Sequence, residues 1–563
     1  MIKKFEFTNY KAFDNGSIEL KPITILLGAN SSGKSSLLQL LLMFVQTTNY
    51  EAGYESALKL NGKFVGLGEV ENIFKNRNTK KDLNFSFEID SKRFFIQVSE
   101  LRRMKRNIES EIVDLYYQFK KIENISSASA KKDQVRSRIF RTNEEIAEDD
   151  LTKLLKEIKR IKRKVSKKQF EQPTLFDEAV SNRLLRKNIE FKDREFQKLL
   201  ETDINEYFDA YKLLSAINKH NLRNFTIEFN VSYSKKLNKL VVNRITIKKD
   251  KSIIIEFYIQ KNKGHLKFLL TSDIVEKNVL EKYRVRFGRN VTFETLNLVP
   301  KTESIIDANR FRRTTIENEM FCTTVLKIFN LFSILFNRAF DSSRINYISP
   351  LRAFPKRYYF LDESNVASSL DSIDGDNLTE TLKKESNVMS KVNKWLDNFG
   401  LSVSVEDVKE VIHRLKISQN GLNLDITDVG FGISQVLPII VQGFLSKEES
   451  LTIVEQPEIH LHPMMQAELA DLFIDVVCTE NNAGKILLIE THSESILKRL
   501  RRRIAEGKIK NSDIAIYFIH SRQKKNSSAI IEKIEIGEKG AFDWPKEFYT
   551  TDFEDTNEFL KHQ

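Results

Sequence analysis

The stretch GANSSGKSS, residues 28–36, follows the apolar run Ile23–Leu27 and precedes SLLQLLLMFV, which has the composition of a helix. It fits the pattern G-x-x-x-x-G-K-[ST] between a buried strand and a helix start, the setting of a phosphate-binding loop (P-loop). Its two glycines allow a tight turn that points backbone N–H groups at phosphates, and the helix N-terminus adds partial positive charge. We expect Lys34 to reach the β- and γ-phosphates and the Ser35 hydroxyl to bind Mg²⁺. The predicted ATP- or GTP-binding residues are Gly28, Ala29, Asn30, Ser31, Ser32, Gly33, Lys34, Ser35 and Ser36.

The length and composition predict a protein of two or three globular domains in the cytoplasm. The chain has 563 residues, 41% of them hydrophobic, and no uninterrupted apolar stretch approaches the ~20 residues that span a bilayer. The N-terminus lacks the apolar region of a secretion signal. Cys322 and Cys478 each lie in a helix-like apolar segment, which predicts buried thiols in a reducing compartment. We therefore expect no membrane partner.

The charge of the chain is compatible with a polyanionic partner. There are 90 Lys and Arg residues against 78 Asp and Glu, a net charge of +12, which does not by itself identify such a partner. Residues 152–168 (TKLLKEIKRIKRKVSKK) concentrate nine basic residues against one acid. This stretch predicts nucleic-acid contact, with a merely solvated basic face as the alternative.

Hydrophobic periodicity divides the chain into strand-rich ends and an inserted helical arm. Strand-like segments occur near the N-terminus, at Asn84–Ile89 and Arg93–Val98, and again at 225–233, 240–249 and 252–259. Between them, apolar residues recur every three or four positions and predict paired helices: Leu101, Met104, Ile108, Ile112, Leu115, Phe119 and Ile122; Leu151, Leu155, Ile158, Ile161 and Val165; Phe196, Leu200, Ile204, Tyr207, Tyr211 and Leu214. The predicted units are 1–99 (first half of the nucleotide-binding head), 100–220 (helical arm), 221–300 (continuation of a β lobe), 301–400 (helical region) and 401–563 (second half of the head).

A second anion-binding helix start is predicted at ITDVGFGISQVLPIIVQGF, residues 426–444. A glycine-rich turn leads into an apolar helix, an arrangement similar to the signature motif of ABC-type ATPases. In that class the motif covers the γ-phosphate bound to the opposite subunit, so the resemblance implies a nucleotide role for Gly432, Ser434 and Gln435. An ordinary capped helix is the alternative.

The segment LTIVEQPEIHLHP, residues 451–463, lies where a Walker B strand should follow. In most ABC-type ATPases an Asp there serves Mg²⁺ and the following Glu polarises the attacking water. Here the pair is Glu455 and Gln456. Glu455 can still serve the metal through water, whereas Gln456 cannot accept a proton and can only orient a water molecule.

Two histidine features remain. In KILLIETHSESIL, residues 485–497, we expect a strand that ends at His492, which matches the switch histidine that contacts the γ-phosphate. His460 and His462 beside Glu458 offer a zinc interpretation, but no Cys or third His lies nearby in sequence.

Taken together, FTNYKAF, GANSSGKSS, FGISQVLPIIV, EQPEIHLHP and IETHSE resemble the stand-alone ABC-type AAA ATPases related to RecF and the OLD nucleases. The EQPE sequence, the YISPLR loop, the WPKEFY segment (544–549) and the helical insertion are most similar to the PtuA family, the ATPases of Septu anti-phage systems. The implied fold is α/β: an ABC-type P-loop head, made of a RecA-like core and an antiparallel β lobe, with an inserted helical or coiled-coil arm. The implied cofactors are ATP and Mg²⁺, with Ser35 and Glu455 at the metal and Glu455, Gln456 and His492 in catalysis.

The resemblance also implies partners. ATPases of this kind pair head to head and work with a separate PtuB-like HNH nuclease, and retron-associated forms are held by a reverse transcriptase and its RNA–DNA product. The 71 residues after His492 carry no evident Toprim nuclease set, so we expect no nuclease in cis. A RecF-like DNA-repair or DNA-clamping ATPase is the main alternative, although long-arm clamps have much longer coiled coils. A transporter ATPase is a third interpretation, which the internal arm disfavours.

Overall fold

The computed structural model describes residues 1–48, 56–90, 95–126, 148–171, 199–220, 222–262, 265–290, 320–352, 354–360, 377–419, 421–478, 484–524, 527–544 and 555–562. Three β-sheets and eleven α-helices lie within these ranges. The helices are α1 Lys34–Thr48, α2 Phe95–Ser126, α3 Glu148–Glu171, α4 Ile204–Lys219, α5 Lys277–Asn290, α6 Met320–Ala339, α7 Asn377–Lys384, α8 Ser386–Leu396, α9 Phe431–Leu445, α10 Pro463–Val477 and α11 Glu494–Ala505.

The first sheet is a seven-stranded antiparallel β lobe. Its strands are β1 Ile2–Thr8, β2 Asn15–Glu19, β4 Leu83–Asp90, β5 Asn224–Ser234, β6 Lys239–Lys249, β7 Ser252–Asn262 and β8 His265–Thr271. Their order in the sheet is β2-β1-β4-β5-β6-β7-β8. The strands alternate buried and partly exposed side chains, because one face packs on the core and the other faces solvent.

The second sheet is the nucleotide-binding core and has six strands. They are β3 Ile23–Gly28, β9 Ile345–Ile348, β14 Leu451–Glu455, β15 Ile486–Glu490, β16 Ile514–His520 and β17 Ile530–Ile534, in the order β17-β16-β3-β15-β14-β9. All neighbours are parallel except β17, which runs antiparallel to β16. The central strands are buried from end to end, as expected for a parallel sheet covered on both faces.

Helix α1 lies between the β lobe and the core sheet. Its side chains from Leu40 to Val45 are fully buried, and Phe44 packs against rings from β4 and from the end of α6, including Phe87 at 4.6 Å and Phe340 at 5.5 Å between ring centres. Aromatic pairs of this kind contribute ~0.5–1.5 kcal/mol beyond their buried area. The packing therefore fixes the helix that follows the P-loop.

The opposite face of the core sheet is covered by α9, α10 and α11 and by a small antiparallel sheet. The strands of that sheet are β10 Tyr359–Phe360, β11 Leu401–Lys409, β12 Ile412–Gln419 and β13 Leu422–Asp425, in the order β10-β12-β11 with β13 also paired to β12. On β3, Leu26 faces the β-lobe side, whereas Ile25 and Leu27 face this side. The P-loop strand therefore contributes side chains to the hydrophobic clusters on both faces of the core sheet.

The helical segment packs along the predicted apolar seams. Helix α2 contacts both α3 and α4, and its seam belongs to the same hydrophobic core as the β lobe. Buried seam residues are Leu101, Ile108, Ile112, Leu115, Phe119, Leu151, Leu155, Ile158, Ile161, Val165, Ile204, Tyr211 and Leu214. The predicted period is therefore confirmed for the described part of this segment.

By length and composition alone, helix α6 is long and apolar enough to cross a membrane. Its sequence is not an uninterrupted apolar stretch, because Lys327 and Arg338 lie within it. In the fold, however, most of its side chains are buried, and Phe332 and Phe336 pack on Phe225 and Phe229 of the β lobe. Its apolar surface is accounted for by core packing.

Several sequence predictions need correction. The strand predicted at Arg93–Val98 is wrong, since α2 begins at Phe95 and packing of its seam outweighs the local alternation. The region 301–400 is not only helical, because β9 lies within it and forms an edge of the core sheet. The predicted switch strand ends at Glu490, two residues before His492. Cys322 is buried as expected, but Cys478 is exposed.

Some predictions fall outside the described residues. They are Phe196 of the third predicted helix and residues 545–549 of the WPKEFY segment.

Candidate nucleotide-binding site

The P-loop connects β3 to α1 through two glycines that no other residue replaces easily. Gly28 and Gly33 have backbone φ values of +144° and +114°, which residues with a side chain rarely adopt. A Cβ atom on Gly28 would lie 2.5 Å from the Ile519 carbonyl oxygen, and one on Gly33 would lie 2.8 Å from the Phe13 ring. The loop therefore keeps its backbone close to the neighbouring strand and ring.

Lys34 begins α1 and is only 3% exposed. Its Nζ atom donates hydrogen bonds to the carbonyl oxygens of Gly28 and Ala29, both at 2.9 Å. Burial is the main cause that lowers the pKa of Lys34, while the nearby carboxylate of Glu490 opposes that shift. The ammonium group is thus held inside the P-loop by two carbonyls that phosphate oxygens could replace.

Ser35 contacts a carboxylate that the sequence analysis did not single out. The Ser35 hydroxyl donates to Glu490, with Oγ–Oε distances of 3.0 and 3.2 Å, and Glu490 Oε1 lies 3.9 Å from Lys34 Nζ. Glu490 is the last residue of β15. The signal was present in the IETHSE segment, but it has meaning only once β15 is known to lie next to β3.

The end of the Walker B strand β14 presents Glu455 and Gln456. Tyr347 on β9 donates to Glu455 Oε1 at 3.0 Å. Burial, with repulsion from Glu490, raises the pKa of Glu455 to about 7. Gln456 adopts a left-handed φ of +44° and donates its N–H to the Glu490 carbonyl oxygen at 2.7 Å. The two strand ends are therefore fixed to one another.

Arg352, from the YISPLR loop, stabilises this strand end. It is 4% exposed, and its Nη2 atom donates to the backbone oxygens of Glu455 and Gln456 at 3.1 and 3.2 Å. Burial lowers the pKa of Arg352 to about 10. Sequence reasoning named the loop but assigned no role to this residue.

His492 is positioned by Glu458. Glu458 accepts hydrogen bonds from the His492 N–H at 2.6 Å and from the Thr491 hydroxyl at 2.8 Å. Burial, and secondarily the charge of Lys34, lowers the pKa of His492, which favours the neutral ring. Within the described ranges, its Nε2 atom is buried without a hydrogen-bond partner. A ring nitrogen in this state is available to a ligand.

The zinc interpretation of the HLHP run finds no support in the described residues. They contain no group of three His, Cys, Asp or Glu side chains that could hold a metal ion. His462 instead caps α10, with Nδ1 accepting the Met464 N–H at 3.3 Å. Both carboxylate oxygens of Glu458 already accept hydrogen bonds, one from the Thr491 hydroxyl and one from the His492 N–H.

The signature segment differs from the sequence expectation in one respect. Ser434 and Gln435 lie in the first turn of α9, but both side chains are buried, at 5% and 2% exposure. The surface at this helix start is formed by Gly430, which is exposed, and Gly432, which is partly exposed. A Cβ atom on Gly432 would lie 2.7 Å from the His460 carbonyl oxygen, whereas one on Gly430 would meet nothing within 4 Å.

These side chains suit a magnesium–nucleotide complex. In the part of the chain that the structure describes, Ser32 Oγ in the P-loop and His492 Nε2 are buried without partners, as groups that bind phosphate oxygens would be. The Ser35 hydroxyl and the Glu455 carboxylate offer oxygen atoms of the kind that Mg²⁺ prefers as ligands. When bound, the metal neutralises charge that develops on the transferred phosphate.

Comparison with known proteins places the chain in a family. The AAA ATPase domain family matches residues 1–497, a range that includes the P-loop, β14 and His492. The chain belongs to the AAA ATPase domain family. This AAA ATPase is an ATP-binding protein with the fold of an ABC-type P-loop head. No curated protein matches it.

Among solved structures, this AAA ATPase is similar to two SMC heads. One is the SMC head domain from Thermotoga maritima, with a TM-score of 0.32 and 8% identity over 95% of this chain and 99% of that one. The other is the Pyrococcus furiosus Smc head domain with an extended coiled coil bound to the C-terminal domain of ScpA. Its TM-score is 0.34, with 8% identity over 100% of this chain and 98% of that one.

Proposed function

We propose that this AAA ATPase serves a prokaryotic anti-phage defence system, in which it senses or scaffolds and regulates a separate PtuB-like HNH nuclease. The proposal rests on the resemblance of the EQPE, YISPLR and WPKEFY segments to the PtuA family. A formed P-loop beside a strand end with Gln456 in the position of the usual catalytic Glu supports the ATP-dependent part of it. ATP then acts mainly as a structural ligand that sets a conformational state, and hydrolysis or depletion releases it. In retron-associated systems, the reverse transcriptase and its RNA–DNA would hold the complex.

The direct test is phage challenge of a host that carries this gene with its genomic neighbours. Plaque formation should fall in that host and recover when either this gene or a neighbouring nuclease gene is deleted. Protection that survives deletion of this gene would contradict the defence role. The RecF-like alternative predicts instead that deletion sensitises its native host to DNA damage without changing plaque counts.

We further propose that ATP bridges two copies of the chain, each P-loop facing the α9 start of the other. Gly430 tests this pairing, because its φ of −50° suits any residue and a Cβ atom there meets no neighbour. Gly430→Arg should therefore fold normally, bind ATP and remain unpaired. Light scattering with Mg²⁺ and a slowly hydrolysed ATP analogue should show a dimer, or a multiple of it, for the wild type only.

Gly66→Arg is the matched control for that variant. Gly66 is exposed on the β-lobe side, and a Cβ atom there would meet its nearest neighbour, the Asn61 side-chain oxygen, at 3.9 Å. This variant should pair as the wild type does. Pairing by Gly430→Arg at wild-type concentrations, or tight ATP binding by a strictly monomeric wild type, would overturn the bridged arrangement.

The basic helix α3 is proposed to contact nucleic acid, but the structure narrows the contact surface. Arg160 and Lys164 each contact Glu123 on α2, and Lys162 donates to the Thr202 carbonyl oxygen at 2.7 Å. These cations stabilise helix packing. Among the described residues, Lys156, Lys159 and Arg163 have no ion-pair partner and share one helix face, at spacings of three and four.

Replacing Lys156, Lys159 and Arg163 by Glu should therefore weaken nucleic-acid binding without disturbing the helix pair. Loss of three phosphate contacts should reduce the slope of log affinity against log salt by roughly 3. Fluorescence anisotropy with DNA duplexes and RNA–DNA hybrids across a salt series measures this. The control, with equal charge change, is Lys235, Lys236 and Lys251 to Glu, on exposed β-lobe turns. An unchanged slope in the α3 variant would mean that this face is only solvated.

A further inference from the structure

The switch strand β15 lies between the P-loop strand β3 and the Walker B strand β14, parallel to both. In register, Glu490 pairs with Leu26 on β3 and with Glu455 on β14. Because parallel strands end at the same edge of the sheet, the Glu490 carboxylate emerges one strand nearer the P-loop than that of Glu455. The chain thus places a second carboxylate beside the predicted metal ligand Ser35.

The carboxylates of Glu490 and Glu455 make their contacts on opposite sides, one towards the P-loop and the other away from it. Glu490 accepts the Ser35 hydroxyl on both oxygens, at 3.0 and 3.2 Å, and approaches the Lys34 ammonium. Glu455 instead accepts from Tyr347, which lies on β9, on the side of β14 away from the P-loop. The carboxylate that meets the P-loop serine is therefore supplied by the switch strand.

The burial of Glu490 points to a cation. Its side chain is 4% exposed. Glu455, its register partner on β14, is 8% exposed. Two desolvated carboxylates are costly together unless a cation compensates them. Lys34 is nearby, but its ammonium is directed to the carbonyls of Gly28 and Ala29 and is expected to serve phosphates. A divalent cation would supply the missing positive charge.

We propose that Glu490 is a metal-positioning residue, which holds Mg²⁺ together with Ser35 from the switch strand. Glu490 adds a negative charge next to the Ser35 hydroxyl, while Glu455, one strand farther from the P-loop, is a second carboxylate for the metal. Position 456 still has no proton acceptor, so hydrolysis remains slow. The inference rests on the proposed ATP-binding site and names the carboxylate on which its metal depends.

The test replaces Glu490 with Gln, which keeps the size and an acceptor oxygen but removes the charge. Mn²⁺ binding in the presence of ADP, measured by electron paramagnetic resonance, should weaken by about 10–100-fold, the range for lost metal-supporting groups. ADP binding in EDTA should not weaken, because the change affects the metal and not the phosphate contacts. Glu490→Asp should recover part of the Mn²⁺ affinity.

Glu494→Gln is the matched control, since Glu494 lies four residues later on α11 and pairs with exposed Lys498. It should bind Mn²⁺ as the wild type does, and Glu455→Gln should lose less affinity than Glu490→Gln. Wild-type Mn²⁺ affinity in a folded Glu490→Gln protein would overturn the inference and leave ATP binding intact. A wild-type protein that binds no nucleotide with or without metal would instead overturn the proposed site itself. Should Glu490→Gln fail to fold, wild-type affinity in Glu490→Asp together with the larger loss in Glu455→Gln would also overturn it.

Discussion

Replacing Lys34 by Met should weaken ATP binding by at least about 10²-fold. The Lys34 ammonium already lies inside the P-loop on two carbonyl oxygens, so it needs little rearrangement to reach phosphates. Each hydrogen bond from a charged group contributes about 1.5–3 kcal/mol, and loss of two such bonds corresponds to that fold-change or more. Isothermal calorimetry with ATP and Mg²⁺ measures the affinity directly.

Methionine is chosen because Lys34 is buried. It fills the space of the aliphatic stem, whereas alanine would leave a cavity next to the P-loop. Lys34→Met also leaves the buried Glu490 carboxylate without its nearby ammonium group, so the ligand-free variant should unfold at a lower temperature than the wild type, and binding is measured well below that temperature. The thermal stabilisation that ATP gives the wild type should disappear.

Lys80→Ala, an exposed lysine of the β lobe, should keep the wild-type affinity. Retention of ATP affinity by Lys34→Met would mean that the nucleotide binds elsewhere. Loss of affinity in both variants would indicate a general effect of charge and not a P-loop contact.

The parts of this molecule that are local in sequence were the most predictable. The P-loop is a strand, turn and helix within about 25 residues, and glycine geometry at Gly28 and Gly33 follows from the motif itself. The helical seams follow from a 3.6-residue period, and α2, α3 and α4 bury them as expected. The strands at 225–259 were likewise marked by alternation.

The missed features depend on which elements become neighbours. Glu490 gains its contact with Ser35 only because β15 lies beside β3, and no local pattern specifies that order. The strand predicted before Val98 fails because the apolar seam of α2 finds partners on α3 and α4. The charge count of α3 suggests more unpaired basic residues than the fold leaves, because Glu123 on α2 forms ion pairs with Arg160 and Lys164.

The exposure of residues in the signature segment also depends on tertiary packing that the sequence does not specify. Its glycine-rich turn before an apolar helix was readable, but which residues face outward depends on the angle at which α9 packs against the core sheet. That packing buries Ser434 and Gln435 and leaves Gly430 at the surface. Any contact with a second copy is therefore expected through the helix start and its backbone.

Changing Gln456 to Glu should raise steady-state ATP turnover by about 10²-fold, the lower end of what general-base catalysis contributes. The backbone of Gln456 is fixed by its N–H bond to the Glu490 carbonyl and by Arg352 on its own oxygen. An isosteric Glu should therefore stand where the amide stands and accept the proton of the attacking water. Phosphate release at saturating ATP and Mg²⁺ measures the rate, and Gln523→Glu, at an exposed position, controls for added charge. If the wild type alone already turns over ATP as fast as the variant, position 456 does not limit hydrolysis and ATP is not chiefly a structural ligand.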